Sequence, residues 1–403
     1  MHEDYRSAAQ GIGMMGVDWE QRIDYERMRR ERQQKARDAV DRAEVDALFL
    51  FRLENVRYLS CLRTHMWPAS SWMSASALLP RGCDPITFSQ DFNFAVERMP
   101  WIRDSIVNFP TGALEIVSGV RKWAGVVKSL LAERGITPKR IGVDSWSPAL
   151  FKALPEEFPR VEFVDGEAVM IEARKVKTFD EVACLKMAAD ITAAGMQAAR
   201  EFIRPGVREC EVLAEAWRKM TALGSEWTQC SNIVCSGPYT HPYRRFTSDR
   251  IIQHGDFVII DIGGLFNGYY GDFTRTWICG EDARPTKEQI EVHMESYTAL
   301  KSCVAAIKPG VTTWEVARAS GEKIMGRLGH GLGVAPSELP YLGVEALVSK
   351  EEAAVLEPGM VFSIEPYAGR EGVGGVRLEH NVLVTEDGAE LLDNFPFESR
   401  LLA

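Results

Sequence analysis

A chain of 403 residues is long for a single core, so two domains are the expectation. Its 46% hydrophobic and 26% charged composition is that of a soluble globular protein, and a net charge of −10 argues against a nucleic-acid binder. No apolar run reaches membrane-spanning length and the first twenty residues lack a basic-then-apolar leader; the eight scattered cysteines, with no CxxC pair, fit reduced thiols in a cytoplasmic protein.

Residues 18–43 place Ile23, Met28, Ala36 and Val40 among charges, which predicts an amphipathic helix. Its basic stripe, Arg27 to Arg37, reads as a solvated face with glutamate interleaved. "DALFLF" (46–51) follows as a buried strand, then "VRYLS" and a Trp-rich segment. A helix over roughly 116–134 precedes the strand "RIGVDS", and "VEFVDGEAV" reads as strand and turn. This alternation predicts a three-layer α/β domain over residues 1–173.

From 174 to 403 the style changes. Thr178 with Glu181 three residues on has capping-box spacing and opens a helix to about Phe202, ended by "RPGV". A second helix (208–223) leads to strands near 230–236 and 256–278. A helix at 285–307, another opened by "KPGVTTWEV", and strands from 360 to 393 complete an α+β domain with a mostly antiparallel sheet. Cys230 and Cys235 lie five residues apart and are read as packing.

Chemistry concentrates in those later strands. Asp261 and Asp272 flank a hairpin whose turn signal is Asn267-Gly268, a centring that sets Asp261 opposite Thr274. Two carboxylates so close repel unless a cation lies between them. His330 sits in "GHGLG", Glu365 follows the apolar strand of "MVFSIEPY", and Glu379 is embedded in "GGVRLEHNVLVTEDG". Four carboxylates and one imidazole suit two divalent ions such as Mn, Fe, Co or Zn better than one structural zinc. Each residue taken singly has a bland reading, as a cap or a core histidine. Five uncompensated polar groups on apolar strands would be a heavy folding penalty, which favours the metal reading.

The ordered run "DxG…GYxxDxTRT", "GHGLG", "SIEP" and "GGVRLEHNVLVTEDG" resembles the pita-bread superfamily of methionine aminopeptidases, Xaa-Pro peptidases, prolidase and creatinase. The resemblance covers about 174–395, and the first domain resembles the creatinase-type N-terminal domain. It implies that Asp261, Asp272, His330, Glu365 and Glu379 are the metal ligands and that Glu365 doubles as the general base. It also implies a homodimer. Arg377 and Arg275, close in sequence to ligands, are read as partners of the ligand carboxylates.

The chain departs from the peptidases at two histidines. Seventeen residues before Asp261 stands Arg244, with His241 three residues earlier; seven after His330 stands Ser337, with Glu338 retained. Arg244 reads either as an inward guanidinium that grips a substrate carboxylate or as a surface residue beside Arg245. "GSEWTQCSNIVCSGPYTHPYRR" and "NVRYLSCLRTHMWPASSWMSASALL" resemble the pita-bread dimethylsulfoniopropionate lyase. Trp67, Trp72 and Trp227 are therefore candidates to surround a sulfonium group, with core packing as the bland alternative. The expected activity is binuclear-metal chemistry on a small charged carboxylate, with dimethylsulfoniopropionate elimination first and Xaa-Pro hydrolysis as the alternative. In the elimination reading Glu338, Tyr269 and Tyr270 are candidate bases. Substrate contacts fall to Arg244, His241, Trp67, Trp72 and Arg377.

Overall fold

Alternation along one short strand organises the first domain. Ala47–Leu50 is buried on both faces. Leu48 and Leu50 pack with Met28, Ala36 and Val40, whereas Ala47 and Phe49 pack with Trp123 and Leu150. The computed structural model describes residues 23–64, 75–226, 230–321, 324, 327–343 and 349–402. A six-stranded mixed sheet runs in the order Ile106–Asn108, Ile86–Ser89, Ala75–Pro80, Ala47–Leu50, Arg140–Val143, Glu162–Asp165. Helices Val117–Glu133 and Pro148–Glu157 cover one face, and Tyr25–Arg42 and Gly166–Arg174 cover the other, giving the three layers expected. One local expectation changes: the turn after Glu162–Asp165 is a helix start, because Asp165 Oδ1 accepts the Ala168 N–H at 3.0 Å.

The basic stripe is in part a docking face, while Arg30 stays exposed and pairs with Glu26 as a solvated face would. Arg27 reaches Asp180 through Nε (2.7 Å) and Nη2 (2.9 Å), and Lys35 donates to the Val176 carbonyl. Arg32 is only 2% exposed and donates to Tyr269 Oη at 3.0 Å. These bonds seat the first helix on the opening of the second domain.

There Thr178 and Glu181 form the capping box of helix Phe179–Phe202. That helix and Glu209–Ala222 pack on a three-stranded sheet ordered Phe273–Ile278, Phe257–Gly263, Cys230–Ser236. Helix Lys287–Ala306 shares a core with a five-stranded sheet ordered Glu338–Gly343, Arg327–Gly331, Val361–Ile364, His380–Val384, Ala389–Leu391. The expected single sheet is thus divided into these two sheets and two two-stranded ladders, Leu265–Phe266/Tyr269–Tyr270 and Tyr367–Arg370/Gly374–Arg377, antiparallel throughout.

Thr274 pairs with Asp261 as the Asn267-Gly268 centring required, and φ is 47° and 85° at these two residues, as a primed hairpin turn needs. The hairpin tip Leu265–Phe266/Tyr269–Tyr270 is a separate ladder, set off by Gly264 and Gly271. A side chain at Gly271 would meet the Ala188 carbonyl oxygen at 2.6 Å, so helix Phe179–Phe202 dictates that glycine. Among the described residues no helix is long and apolar enough to cross a membrane.

Candidate metal centre

Asp261 is fully buried. Arg377 Nη1 donates to its Oδ2 at 2.9 Å and Tyr243 Oη donates to the same atom at 3.3 Å. Oδ1 is buried and takes no hydrogen bond among the described residues. Glu379 repeats the pattern: Oε2 accepts from Thr274 Oγ1 at 2.6 Å, and Oε1 is buried without a hydrogen bond. One ligand atom from each of Asp272, His330 and Glu379 lies within 4.8 Å of the other two. His330 Nδ1 donates to the Gly331 carbonyl at 3.0 Å, so Nε2 faces Asp272 Oδ2 (3.6 Å) and Glu365 Oε1 (3.7 Å). Glu365 Oε2 lies against Arg377 Nη2.

This much negative charge in a dry site is unfavourable by itself. Burial, followed by the charges of Asp272 and Asp261, pushes Glu379 well above the usual carboxylate range. One arginine among four acids does not neutralise the cluster. The Asp261 Oδ1 and Glu379 Oε1 atoms, buried and without hydrogen bonds, are oxygens that a divalent cation would satisfy, so the residues fit two such ions.

Several residues singled out in the sequence fall elsewhere. Arg244 is neither free for a substrate nor on the open surface: its guanidinium is bound to the buried carboxylate of Glu209, between the rings of Tyr239 and Phe246 at 4.2 and 4.9 Å. His241 Nδ1 lies 2.9 Å from Tyr367 Oη, which itself donates to the Thr240 carbonyl at 2.7 Å. Glu338 pairs with Lys177 (2.9 Å) and Arg174 (3.5 Å). Tyr269 faces the first domain, accepting from Arg32 Nη1 at 3.0 Å, and donates to Glu181 Oε1 at 2.7 Å. Tyr270 is partly buried in the hairpin, its N–H on the Gly333 carbonyl at 3.0 Å. Arg275 holds the backbone carbonyls of Glu379 and Phe395 and the Asp393 carboxylate, not a ligand carboxylate. Trp67, Trp72 and Trp227 lie outside the described residues.

Sequence reasoning missed Tyr243, and it missed Ser363 and Asn381. The last two pair directly across Val361–Ile364 and His380–Val384. Asn381 Oδ1 accepts the Asp272 N–H at 3.1 Å, and Ser363 Oγ donates to the Asp272 carbonyl at 3.2 Å. The signal was the two-residue period: each stands two positions from a candidate ligand, Glu365 or Glu379, on the same strand face.

A three-layer N-terminal domain of helices on both faces of a mixed sheet, followed by antiparallel sheets that converge buried carboxylates and one imidazole, defines a metal-dependent enzyme. The chain belongs to metallopeptidase family M24, whose model matches residues 183–386; the creatinase/prolidase N-terminal domain matches residues 32–176. The Xaa-Pro dipeptidase of Pyrococcus furiosus is 35% identical over 240 residues, 57% of this chain and 66% of that protein. The Xaa-Pro dipeptidase of Pyrococcus horikoshii is 29% identical over 372 residues, 90% and 96% of the two chains. The solved Xaa-Pro dipeptidase of Bacillus anthracis superposes with a TM-score of 0.76 at 27% identity, covering 92% of this chain and 99% of its own. The protein is accordingly a metal-dependent hydrolase of C–N bonds that uses two divalent ions. These relatives support the hydrolytic alternative over elimination of dimethylsulfoniopropionate.

Proposed function

We propose that this chain cleaves the amide bond before proline in small peptides, with Xaa-Pro dipeptides as the first substrates to test. The observation that carries the reading is the buried group Asp272, His330 and Glu379, beside Asp261 and Glu365, in a chain similar to two Xaa-Pro dipeptidases over much of its length. In this reading Asp261, Asp272, His330, Glu365 and Glu379 hold the two ions, which when bound supply a Lewis acid for the scissile carbonyl and an acidified water.

The protein's own groups then do the rest. Glu365 takes the proton of the attacking water and returns it to the departing proline nitrogen. Arg377, against both Asp261 and Glu365, holds these two carboxylates in place. His241, fixed through Nδ1 by Tyr367, leaves Nε2 for the substrate in place of the imidazole missing at Arg244. The commitment of Arg244 to Glu209 removes the main argument for a substrate carboxylate held there. The division into units 1–173 and 174–403, a homodimer and a cytoplasmic location belong to the same proposal; sedimentation and cell fractionation test the last two.

The decisive assay is turnover of Ala-Pro by purified protein loaded with manganese or cobalt, with headspace dimethyl sulfide from dimethylsulfoniopropionate measured in parallel. Metal-dependent Ala-Pro cleavage that is lost in His330→Ala supports the proposal. Bound metal without cleavage of any Xaa-Pro dipeptide sinks it, and dimethyl sulfide release would reinstate elimination.

A further inference from the structure

The loop after Cys230–Ser236 delivers one phenol to the carboxylate cluster. Of its neighbours in the loop, Arg244 is bound to Glu209, and His241 is held through Nδ1 by Tyr367. The Tyr243 ring stacks on Tyr367 with centroids 5.5 Å apart and planes 12° from parallel. The Arg377 guanidinium lies 5.7 Å from the Tyr243 ring centre, and the phenol reaches Asp261 Oδ2 at 3.3 Å.

Arg377 donates to that same oxygen at 2.9 Å. Two donors on one oxygen fix the plane and direction of a carboxylate, and Oδ1, the other oxygen, is buried and takes no hydrogen bond among the described residues. The phenol is a single neutral donor. It orients the carboxylate without adding a second cation to a site that must stay attractive to metal.

We infer that Tyr243 is a positioning residue of the metal centre, acting with Arg377 to turn Asp261 Oδ1 toward the ion. This rests on the reading of Asp261 as a ligand. Nothing in the sequence motif points to position 243; the loop's tie to Glu209 through Arg244 aims it there.

Tyr243→Phe keeps the stacked ring and removes only the hydroxyl, and Tyr367→Phe removes a hydroxyl from the same stack without touching Asp261. Both variants and the wild type are titrated with cobalt, followed by visible absorption and by Ala-Pro kinetics. Tyr243→Phe is expected to bind one cobalt equivalent about tenfold more weakly, with a changed ligand-field band, a lower kcat and an unchanged KM. Tyr367→Phe is expected to keep the wild-type affinity and band. Wild-type cobalt affinity and spectrum in Tyr243→Phe overturn the inference, as does the same change in Tyr367→Phe, which would trace the effect to loop packing. A wild-type chain that binds no cobalt overturns both this inference and the proposed function. A cobalt effect confined to Tyr243→Phe, in an enzyme that cleaves no Xaa-Pro dipeptide, rejects the substrate reading and leaves the positioning role standing.

Discussion

Thr274 holds Glu379 at two points: its hydroxyl donates to Oε2 at 2.6 Å, and its carbonyl accepts the Glu379 N–H at 3.1 Å. The strand pairing that sets Thr274 opposite Asp261 therefore also orients a carboxylate from the other sheet. Thr274→Val keeps the branched shape and the backbone bond but loses the hydroxyl. Oε2 then lacks its donor, and metal affinity should fall about tenfold. Competition with a chromogenic chelator measures this; an affinity equal to wild type would show that the hydroxyl does not orient Glu379.

Glu209 is fully buried at the start of helix Glu209–Ala222, yet it gathers more donors than any ligand carboxylate described above. Oε1 accepts Ser236 N–H (2.8 Å) and Oγ (2.7 Å); Oε2 accepts Ser248 N–H (3.0 Å), Ser248 Oγ (2.7 Å) and Arg244. It ties both ends of the loop that carries His241 and Tyr243. Glu209→Gln removes the charge and turns an amide N–H₂ toward groups that donate. The expected loss of stability is about 1.5–3 kcal/mol, together with faster proteolysis between residues 237 and 248. Unchanged thermal unfolding and cleavage would mean the loop is held by other contacts.

Features encoded locally were legible in the sequence. The Thr178/Glu181 capping box needs only two residues three apart, and the Asn267-Gly268 turn fixes the Asp261–Thr274 pairing through strand geometry alone. What depends on distant partners was not legible. Whether Tyr243 or Arg244 faces the cluster is decided by Glu209, 35 residues before Arg244 in the chain. Tyr269 and Tyr270 are indistinguishable by motif, yet neighbours on a strand point to opposite faces, and Tyr269 turns to Glu181 and Arg32. The stripe at Arg27 to Arg37 looked solvated because its acceptors, Asp180 and the Val176 carbonyl, lie in the other domain. The preference for a lyase rested on two short segments and on the two substituted histidine positions, of which Arg244 is turned to Glu209 by a contact the sequence does not display.

Two glycines separate close packing from backbone freedom. Gly271 lies against helix Phe179–Phe202, where Thr192 Oγ1 bonds the Ala188 carbonyl at 2.7 Å and accepts the Gly264 N–H at 2.9 Å. Backbone atoms cannot swing aside as a flexible side chain does, so Gly271→Ala should cost about 1–3 kcal/mol and, through the adjacent Asp272, weaken metal binding. Gly125 is exposed in helix Val117–Glu133 with open space where a side chain would stand. Gly125→Ala should instead stabilise the protein by about 0.5–1 kcal/mol. Calorimetry on both variants checks the pair; destabilisation of equal size would contradict the packing argument.

His293 gives the fold an acid sensitivity unrelated to the ligand carboxylates. It is buried in helix Lys287–Ala306 with its ring stacked on Tyr297 at 6.3 Å. Burial pushes its pKa from 6.5 down to about 4, against the opposing pull of the Glu398 charge. A histidine whose folded pKa lies below its unfolded one is held neutral by the fold. Its contribution is complete above pH 6.5 and is lost as pH falls through the interval down to 4, at up to about 1.4 kcal/mol per pH unit. His293→Phe keeps a ring for Tyr297 and has no proton to take up. In urea titrations with chelator present, its stability relative to wild type should be constant above pH 6.5 and rise steadily from there toward pH 4. A difference independent of pH would mean that the imidazole titrates alike in the folded and unfolded chains.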